Sequence, residues 1–499
     1  MAALVVLTSC GGAGGGSGSG NFPAPTPTDA VSGTVTFKGN PLSGATVTAW
    51  VTNTNSVFQT ATTDSNGNYK FSGIEASGNS AEELHFWISK KGYGFYLSVV
   101  SGARVTRADH TGDFSGNGIT ATAIYFTVID YFALPNAGLS AANFTAYDGS
   151  KPLVTLAATG QSATYANGDD GSLHKGTAWP GPRFADNQDG TVTDKVTGLI
   201  WLQNAGCFPP AIWSTALADV NQLASGACGL NDGSSAGQWR LPNLNELQSL
   251  VDASASNPVV SAGSLFLNIS NGIYWSSTSY FGGQGGSANA WSIRFGDGRY
   301  MNDSSANAKA TANNDVWAVK GGSGGAVKLQ STGMFIPFAG GDDGTLQTGV
   351  PPTYPRWIDN GNGTITDTVT GLIWLKRADC IHQPWSAAVA AVNSLASGQC
   401  GLTDSSAAGA WRMPNRNEMQ SLADRMETNH ADFFDQTYIL KSTQTVYRLP
   451  VFTNVIISEY YWTSTTNAAD TTEAWTVFSC DFGVYDISKA NTGYTMAVR

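Results

Sequence analysis

The sequence predicts a multidomain chain: an all-β sandwich followed by two copies of one α+β domain. Three observations lead there. A length of 499 residues exceeds a single core and corresponds to roughly three domains. An alternating pattern with turn signals runs from Val31 to about Tyr93. One stretch also occurs twice, as Trp239-Arg240-Leu241-Pro242-Asn243-Leu244-Asn245-Glu246-Leu247-Gln248-Ser249-Leu250 and as Trp411-Arg412-Met413-Pro414-Asn415-Arg416-Asn417-Glu418-Met419-Gln420-Ser421-Leu422.

That stretch reads as a helix start. Asn accepts a bond from an early amide of the helix, and the Glu three residues later reaches back to the Asn backbone. Behind the cap, Leu247, Leu250 and Val251 recur at helical spacing. Each copy therefore runs from a strand or loop ending in Trp-Arg into a capped amphipathic helix, a structural role rather than a chemical one.

Bulk composition narrows the function class. Hydrophobic residues make up 41% and charged residues only 13%, with 15 Trp. That profile suits loop-rich domains outside the cytoplasm. The net charge of −11 and the absence of any basic run argue against nucleic acid as a partner. They also disfavour anionic lipid or sulfated polysaccharide, unless a local patch or bridging cation supplies attraction. Of six cysteines, Cys207 and Cys228 recur as Cys380 and Cys400 at equivalent places. Repeated pairs of this kind read as one disulfide per copy and an oxidising compartment. No Cys-x-x-Cys occurs, so zinc and thioredoxin-type chemistry have no support.

In chain order, residues 1–7 are apolar and too short to span a bilayer. Leu7-Thr8-Ser9-Cys10 follows and resembles a bacterial lipobox, which implies lipidation of Cys10 and a membrane anchor. No Lys or Arg precedes the apolar stretch, which points to a start further upstream. The Gly/Ser run over 11–20 makes a flexible tether and 23–29 a Pro/Thr linker, so 1–29 is signal, tether and linker.

Residues 30–105 form the β module. Val31-Ser32-Gly33-Thr34-Val35-Thr36-Phe37 leads to a Gly39-Asn40-Pro41 turn and then Ala45 to Trp50. Asn66-Gly67 between alternating residues predicts a hairpin. The order Gly-x-Val, Pro-Leu-x-Gly-Ala-x-Val, Thr-Thr-Asp-x-x-Gly-x-Tyr-x-Phe and Lys-x-Gly-Tyr resembles the carboxypeptidase-regulatory-like, or transthyretin-like, β-sandwich. The resemblance implies a spacer rather than catalysis. Residues 106–152 read as a connector or as extra strands.

The two copies span 153–325 and 326–499. Thr159-Gly160, Asp169-Asp170-Gly171, Arg183 and Trp201 match Thr332-Gly333, Asp342-Asp343-Gly344, Arg356 and Trp374 at a constant offset of 173. A repeat of that length means tandem domains. Each opens with a hairpin, Phe184 to Asp194 and Trp357 to Asp367, followed by Gly-Leu-Ile-Trp-Leu as a strand. A first helix then buries Trp213, Ala216, Leu217, Val220 and Leu223, against Trp385, Val389, Val392 and Leu395 in the second copy. Beyond the capped helix, strands alternate with polar loops that differ between copies, where specificity is expected.

Together, Arg-Phe-x-Asp-Asn-x-Asp-Gly-Thr-Val-Thr-Asp, Thr-Gly-Leu-Ile-Trp-Leu, Cys-Gly-Leu-x-Asp, Trp-Arg-Leu-Pro-Asn-x-Asn-Glu-Leu, Tyr-Trp-Ser-Ser-Thr and Val-Trp-Ala-Val resemble the Lcl C-terminal domain family. It is named from the C-terminal domain of a bacterial collagen-like surface adhesin. The resemblance covers about 155–322 and 329–499. It implies a C-type-lectin-like fold and surface adhesion, with glycans among the ligands. No collagen-like Gly-x-y stretch accompanies it.

Candidate sites follow. Asp186, Asp189 and Asp194, with Asp359 and Asp367 in the second copy, can supply oxygens to Ca²⁺, or else bond the backbone of their turns. Asp169-Asp170 and Asp342-Asp343 make a second candidate. The Glu-Pro-Asn, Gln-Pro-Asp and Trp-Asn-Asp tripeptides of calcium-dependent sugar binding are absent. Tyr280, Phe281, Tyr300 and Tyr485 are loop aromatics able to stack on sugar faces. Enzyme chemistry finds little: the Trp-Arg-Leu-Pro-Asn stretch resembles a segment of formylglycine-generating oxidases, which need a reactive cysteine pair, whereas Cys480 is a lone thiol. Expected, then, is a non-enzymatic envelope lipoprotein at the periplasmic face or the surface. Its partner would be an envelope or extracellular ligand such as a polysaccharide, with Ca²⁺ the one cofactor in view.

Overall fold

The computed structural model describes residues 30–37, 40–51, 59–72, 84–89, 94–97, 102–103, 106–107, 114–115, 118–119, 144–147, 154–260, 265–280, 288–302, 305–322, 324–334, 336–350, 356–425, 435–440, 445–450 and 452–499. Cys10, its tether and Phe281 lie outside that set, as does most of 106–143. The described residues fall into two compact units, one drawn from Met1–Asp148 and Thr437–Leu449, the other from Gly149–Gln436 and Pro450–Arg499. Both are built mainly from small sheets. Among the described residues no helix is long and apolar enough to cross a membrane.

The first unit holds two principal sheets. Ala30–Phe37 pairs antiparallel with Asn68–Ser72 through its first half and parallel with Phe144–Tyr147 through its second. Thr46–Val51 lies between Gln59–Thr62 and Leu84–Ser89 in the other sheet. Phe144–Tyr147 is thus an added strand drawn from the connector region. The Asn66-Gly67 turn forms, with Asp64 Oδ1 accepting from Asn66 N at 2.8 Å and Asn68 N at 2.9 Å. It does not close a hairpin, however. The strands on either side belong to different sheets, so the turn carries the chain from one to the other.

In the second unit both repeats follow one plan. Phe184–Asp186, Thr191–Asp194 and Ile200–Leu202 form an antiparallel meander, repeated as Trp357–Asp359, Thr364–Asp367 and Ile373–Leu375. The closing Val-Trp-Ala-Val explains why the sequence motifs keep their order. Val319 pairs with Trp201 and also bridges Arg240, as Val498 bridges Trp374 and Arg412. A second sheet carries Ile273–Ser279, Ala290–Arg294 and Tyr300–Met301 in the first repeat. Its counterpart is five-stranded, in the order Ile381–Pro384, Thr492–Thr495, Tyr460–Thr466, Glu473–Phe478, Val484–Ser488.

Among the described residues six α-helices accompany these sheets: α1 (Asp170–Leu173), α2 (Trp213–Gln222), α3 (Leu244–Ser249), α4 (Asp343–Leu346), α5 (Trp385–Asn393) and α6 (Arg416–Ser421). The faces expected of α2 and α5 are the buried ones. Neither helix has a side-chain cap. Instead Lys309 O accepts from Trp213 N, and Lys489 O from Trp385 N. Trp201, Trp239, Trp275, Trp291 and Trp317 fill the first repeat's core, and truncating any of them would cost about 3–5 kcal/mol. Trp475 and Val484 of the second repeat belong to the same cluster, so the apolar core continues across the repeat boundary.

Candidate functional site

Each repeat is braced where its hairpin meets the disulfide loop. Cys207–Cys228 and Cys380–Cys400 are both formed, with Cα–Cα distances of 5.6 and 5.7 Å. Gly190 sits in the hairpin turn at φ +83°, and a Cβ there would come within 2.3 Å of Gly229 O. Gly363 meets Gly401 O in the same way. Asp-Gly in the hairpin and Cys-Gly in the loop are therefore two halves of one contact.

The repeated Trp-Arg-Leu/Met-Pro-Asn stretch is a complete capping box in both copies. Its Glu holds a partner as well: Arg240 grips Glu246 with two bonds of 2.6 Å, and Arg412 grips Glu418 identically. The cap asparagines have a further use. Asn243 Nδ2 donates to Thr348 Oγ1 at 2.9 Å, and Asn415 Nδ2 donates to Lys175 O at 3.1 Å. Thr348 belongs to the segment 327–350 that opens the second repeat ahead of its hairpin, and Lys175 to the segment 154–182 that opens the first. Each capped helix thus receives the segment that leads into the other repeat.

The exchange is reciprocal at every level. Asp170, on the first segment, accepts from its own Thr159 at 2.6 Å and from Thr465 of the second repeat at 2.7 Å. Asp343, on the second segment, accepts from Thr332 at 2.6 Å and from Thr278 of the first repeat at 2.7 Å. Each bridging hydroxyl also accepts the first amide of the capped helix, Leu244 N or Arg416 N. Tyr165 of the first segment lies 4.7 Å from Lys489 Nζ, whose other face meets Trp385 at 4.1 Å. Phe338 of the second segment lies 4.6 Å from Lys309 Nζ, which meets Trp213 at 4.2 Å. Burial pulls both lysines down to about 8.

Where the two capped helices face each other, Gln248 Nε2 donates to Asn417 Oδ1 at 3.0 Å. Asn245 Nδ2 donates to Gln330 O, and Asn417 Nδ2 to Ala157 O. A cleft of about 90 Å³ lies beside these amides, bordered by Trp179, Val251, Leu329 and Ala423.

The residues singled out in the sequence fare differently. Asp194 and Asp367 are fully buried and do not face their hairpin turns, because each forms a two-pronged ion pair, with Arg183 and Arg356. Asp186 and Asp189 accept bonds within the turn, from Gln188 N and from Thr191. Asp359 pairs with Lys376 at 2.7 Å. The expected Ca²⁺ set is therefore not gathered around a common point. Asp169 and Asp342 cap α1 and α4, and their neighbours hold the hydroxyls described above, so the second acidic pair is structural as well. Among the described residues no group of three or more His, Cys, Asp or Glu is placed to hold a metal ion.

Of the aromatics, Tyr280 is buried against Trp291 at 5.2 Å. Tyr300 is buried where the repeats meet, beneath Arg416 and Arg425 of the second. Neither offers the solvent-facing ring expected of it. Tyr485 is half-buried and donates to Asp481 at 3.0 Å. Cys480 is half-exposed, with the Ser458 hydroxyl 3.0 Å from its sulfur. The sequence reading passed over Trp179 and Ala157, which border the cleft, and named Arg183 as a repeat landmark alone. The signal was available: Ala157 stands where the second copy has Gln330.

A model of the Lcl C-terminal domain matches residues 190–320 and 363–499, more than half of the chain. The chain belongs to the Lcl C-terminal domain family. The two matched regions are the disulfide-braced bodies just described, and both stop short of the exchanged segments. No curated protein and no solved structure matches the chain. The cleft between the two Lcl domains is thus formed jointly by the matched bodies and by the segments that precede them.

Proposed function

We propose that this protein is a non-enzymatic bacterial envelope lipoprotein that binds an extracellular or envelope ligand, a glycan foremost, through its paired Lcl domains. In this reading Cys10 carries the lipid anchor. The transthyretin-like sandwich acts as a spacer, and the C-type-lectin-like repeats face the ligand. The observation that carries it is the joining of two Lcl domains into one body by reciprocal segments. Two equivalent surfaces held at a fixed spacing suit a repeating ligand, because the second contact forms at a high effective concentration. The two disulfides support an oxidising compartment.

The rival reading is an oxidase of the formylglycine-generating type. Such chemistry needs a reactive cysteine pair. Four of the five described cysteines are in disulfides, and Cys480 neighbours a serine instead of a second thiol. The test probes a glycan array with the full secreted chain, with and without Ca²⁺ and with Cys480 alkylated. Binding to a defined set of glycans that survives alkylation is expected. No binding under any condition would leave a structural envelope component as the better reading. Mass spectrometry of the N-terminal peptide checks the anchor, which predicts a diacylglyceryl group on Cys10.

A further inference from the structure

We infer that the first opening segment, residues 154–182, is exchangeable between copies of this chain: the second repeat of one copy takes the segment of another, and two copies close into a reciprocal dimer. This stands apart from the ligand-binding reading. Within one chain the segment already completes a body other than its own. Val154 N donates to Val369 O at 3.0 Å, Asn393 Nδ2 to Asn167 O at 3.1 Å, and Asn417 Nδ2 to Ala157 O at 3.0 Å. The Thr465 bond to Asp170 and the Asn415 bond to Lys175 O add to these. Its own repeat contributes as well, Ala253 N donating to Thr159 O at 2.8 Å.

The segment joins its own body through Trp179-Pro180-Gly181-Pro182. Proline favours extended backbone at itself and at the residue before it, and six residues from Thr177 to Pro182 reach roughly 20 Å when extended. A segment from a second copy occupies the same place as the resident one. Every bond named above is then remade, the one to Ala253 included, and only the path of the hinge changes. Exchange of an identical element is a low-cost route to a dimer. Each copy gives one segment and receives one, so the assembly closes at two. The second segment stays in its own chain. Ala326 N and Val327 N bond Lys195 O and Val196 O just after the closing strand Val319–Lys320, which ties its start to the body it completes.

One residue makes the pairing specific. Buried Gln161 donates through Nε2 to Thr466 O at 2.8 Å and accepts from Thr466 N through Oε1 at 2.9 Å, so its amide closes both backbone groups of that strand residue. The second segment has Met334 at the equivalent place and cannot make this clamp. The second repeat therefore selects the first segment, from its own chain or from another. Within one chain the tether gives the resident segment a high effective concentration, so the exchanged form needs concentrated protein and an opened contact. Raised pH supplies the opening. Burial pushes the Asp170 carboxyl up to about 6, Glu418 from α6 and Asp169 beside it push the same way, and Thr159 and Thr465 meet it with hydroxyls alone. At pH 8 that carboxylate is charged in a buried place, and docking is weaker than in acid.

The test mixes two full-length chains, both carrying Cys10→Ser and Cys480→Ser so that no other free thiol remains. One bears Asn167→Cys on the segment and the other Asn393→Cys on the second repeat, surface positions that meet across the contact. The mixture is held concentrated at pH 8, returned to pH 7 and treated with a short bis-maleimide. Asn221→Cys, the equivalent position of the first repeat, replaces Asn393→Cys in the control and measures chance collision. A covalent dimer about tenfold or more above that control is expected, because only a docked segment holds the two thiols together. In parallel, light scattering of the unmodified chain should show a dimer whose share grows with concentration and no larger closed species. Equal cross-linking with Asn221→Cys and Asn393→Cys overturns the inference, as does a chain that stays monomeric at every concentration. A dimer by light scattering without the selective cross-link places the interface elsewhere and overturns it too.

Discussion

At the scale of single residues, Asp170 and Asp343 make stability depend on pH. Each is buried and held by threonine hydroxyls, with no cation bonded to it. Burial pushes Asp170 up to about 6 and Asp343 up to about 7, against the pull of those hydroxyl bonds. Glu418 near Asp170 and Glu246 near Asp343 push the same way as burial. The folded chain therefore holds protons that the unfolded chain releases near pH 4. The stability contribution is full below about pH 4 and declines as pH rises through 6 and 7. Its loss by neutral pH amounts to about 3 kcal/mol at Asp170 and about 4 kcal/mol at Asp343. Replacing both by Asn removes the decline. Melting curves should show the variant gaining on the wild type between pH 5 and pH 8, and a constant difference across that range would contradict the assignment. The Arg183–Asp194 ion pair is tested by removing one partner. Asp194→Ala strands a buried guanidinium and is expected to cost about 3–5 kcal/mol, read from denaturant midpoints.

At the scale of elements, the capped helices and disulfide loops do two jobs each. Asn415→Ala removes a cap worth about 1 kcal/mol. It also removes the bond to Lys175 O, worth about 1 kcal/mol more. A denaturant titration should thus show about twice the loss of an ordinary cap. Replacing Cys207 and Cys228 by Ser should cost about 3 kcal/mol, because the bond closes a loop of 21 residues. These elements were legible in the sequence because each depends on residues close in the chain: Asn before Glu for the cap, tryptophan and aliphatic spacing for α2 and α5. Longer-range placement was not. The Asn66-Gly67 turn has the local chemistry of a hairpin, yet that chemistry does not say which sheet receives the next strand. Tyr300 reads as a loop aromatic, but arginines contributed from the other repeat bury it.

At the scale of the whole second unit, the two Lcl domains complete one another. Sequence could not reveal this, because the contact residues are alike in both copies. Asp170 and Asp343 each find a threonine on the same strand position, whichever copy they dock on, so own-copy and cross-copy pairing look identical on paper. Chain continuity breaks the tie. Val327 follows the closing strand Val319–Lys320 at once and bonds Val196 O of the first repeat, so the second segment begins alongside the wrong copy. The first segment is then left to finish the second repeat, where Val154 N bonds Val369 O. Shared tryptophan packing and two exchanged segments make the repeats one cooperative unit. Native-state hydrogen exchange tests this most directly. Val220→Ala in α2 weakens the first repeat by about 2 kcal/mol. Exchange is then followed at Leu247 N in α3 and at Met419 N in α6, both held by the cap asparagine carbonyl. Equal loss of protection at both amides is predicted; loss at Leu247 with Met419 unchanged would show two independent domains.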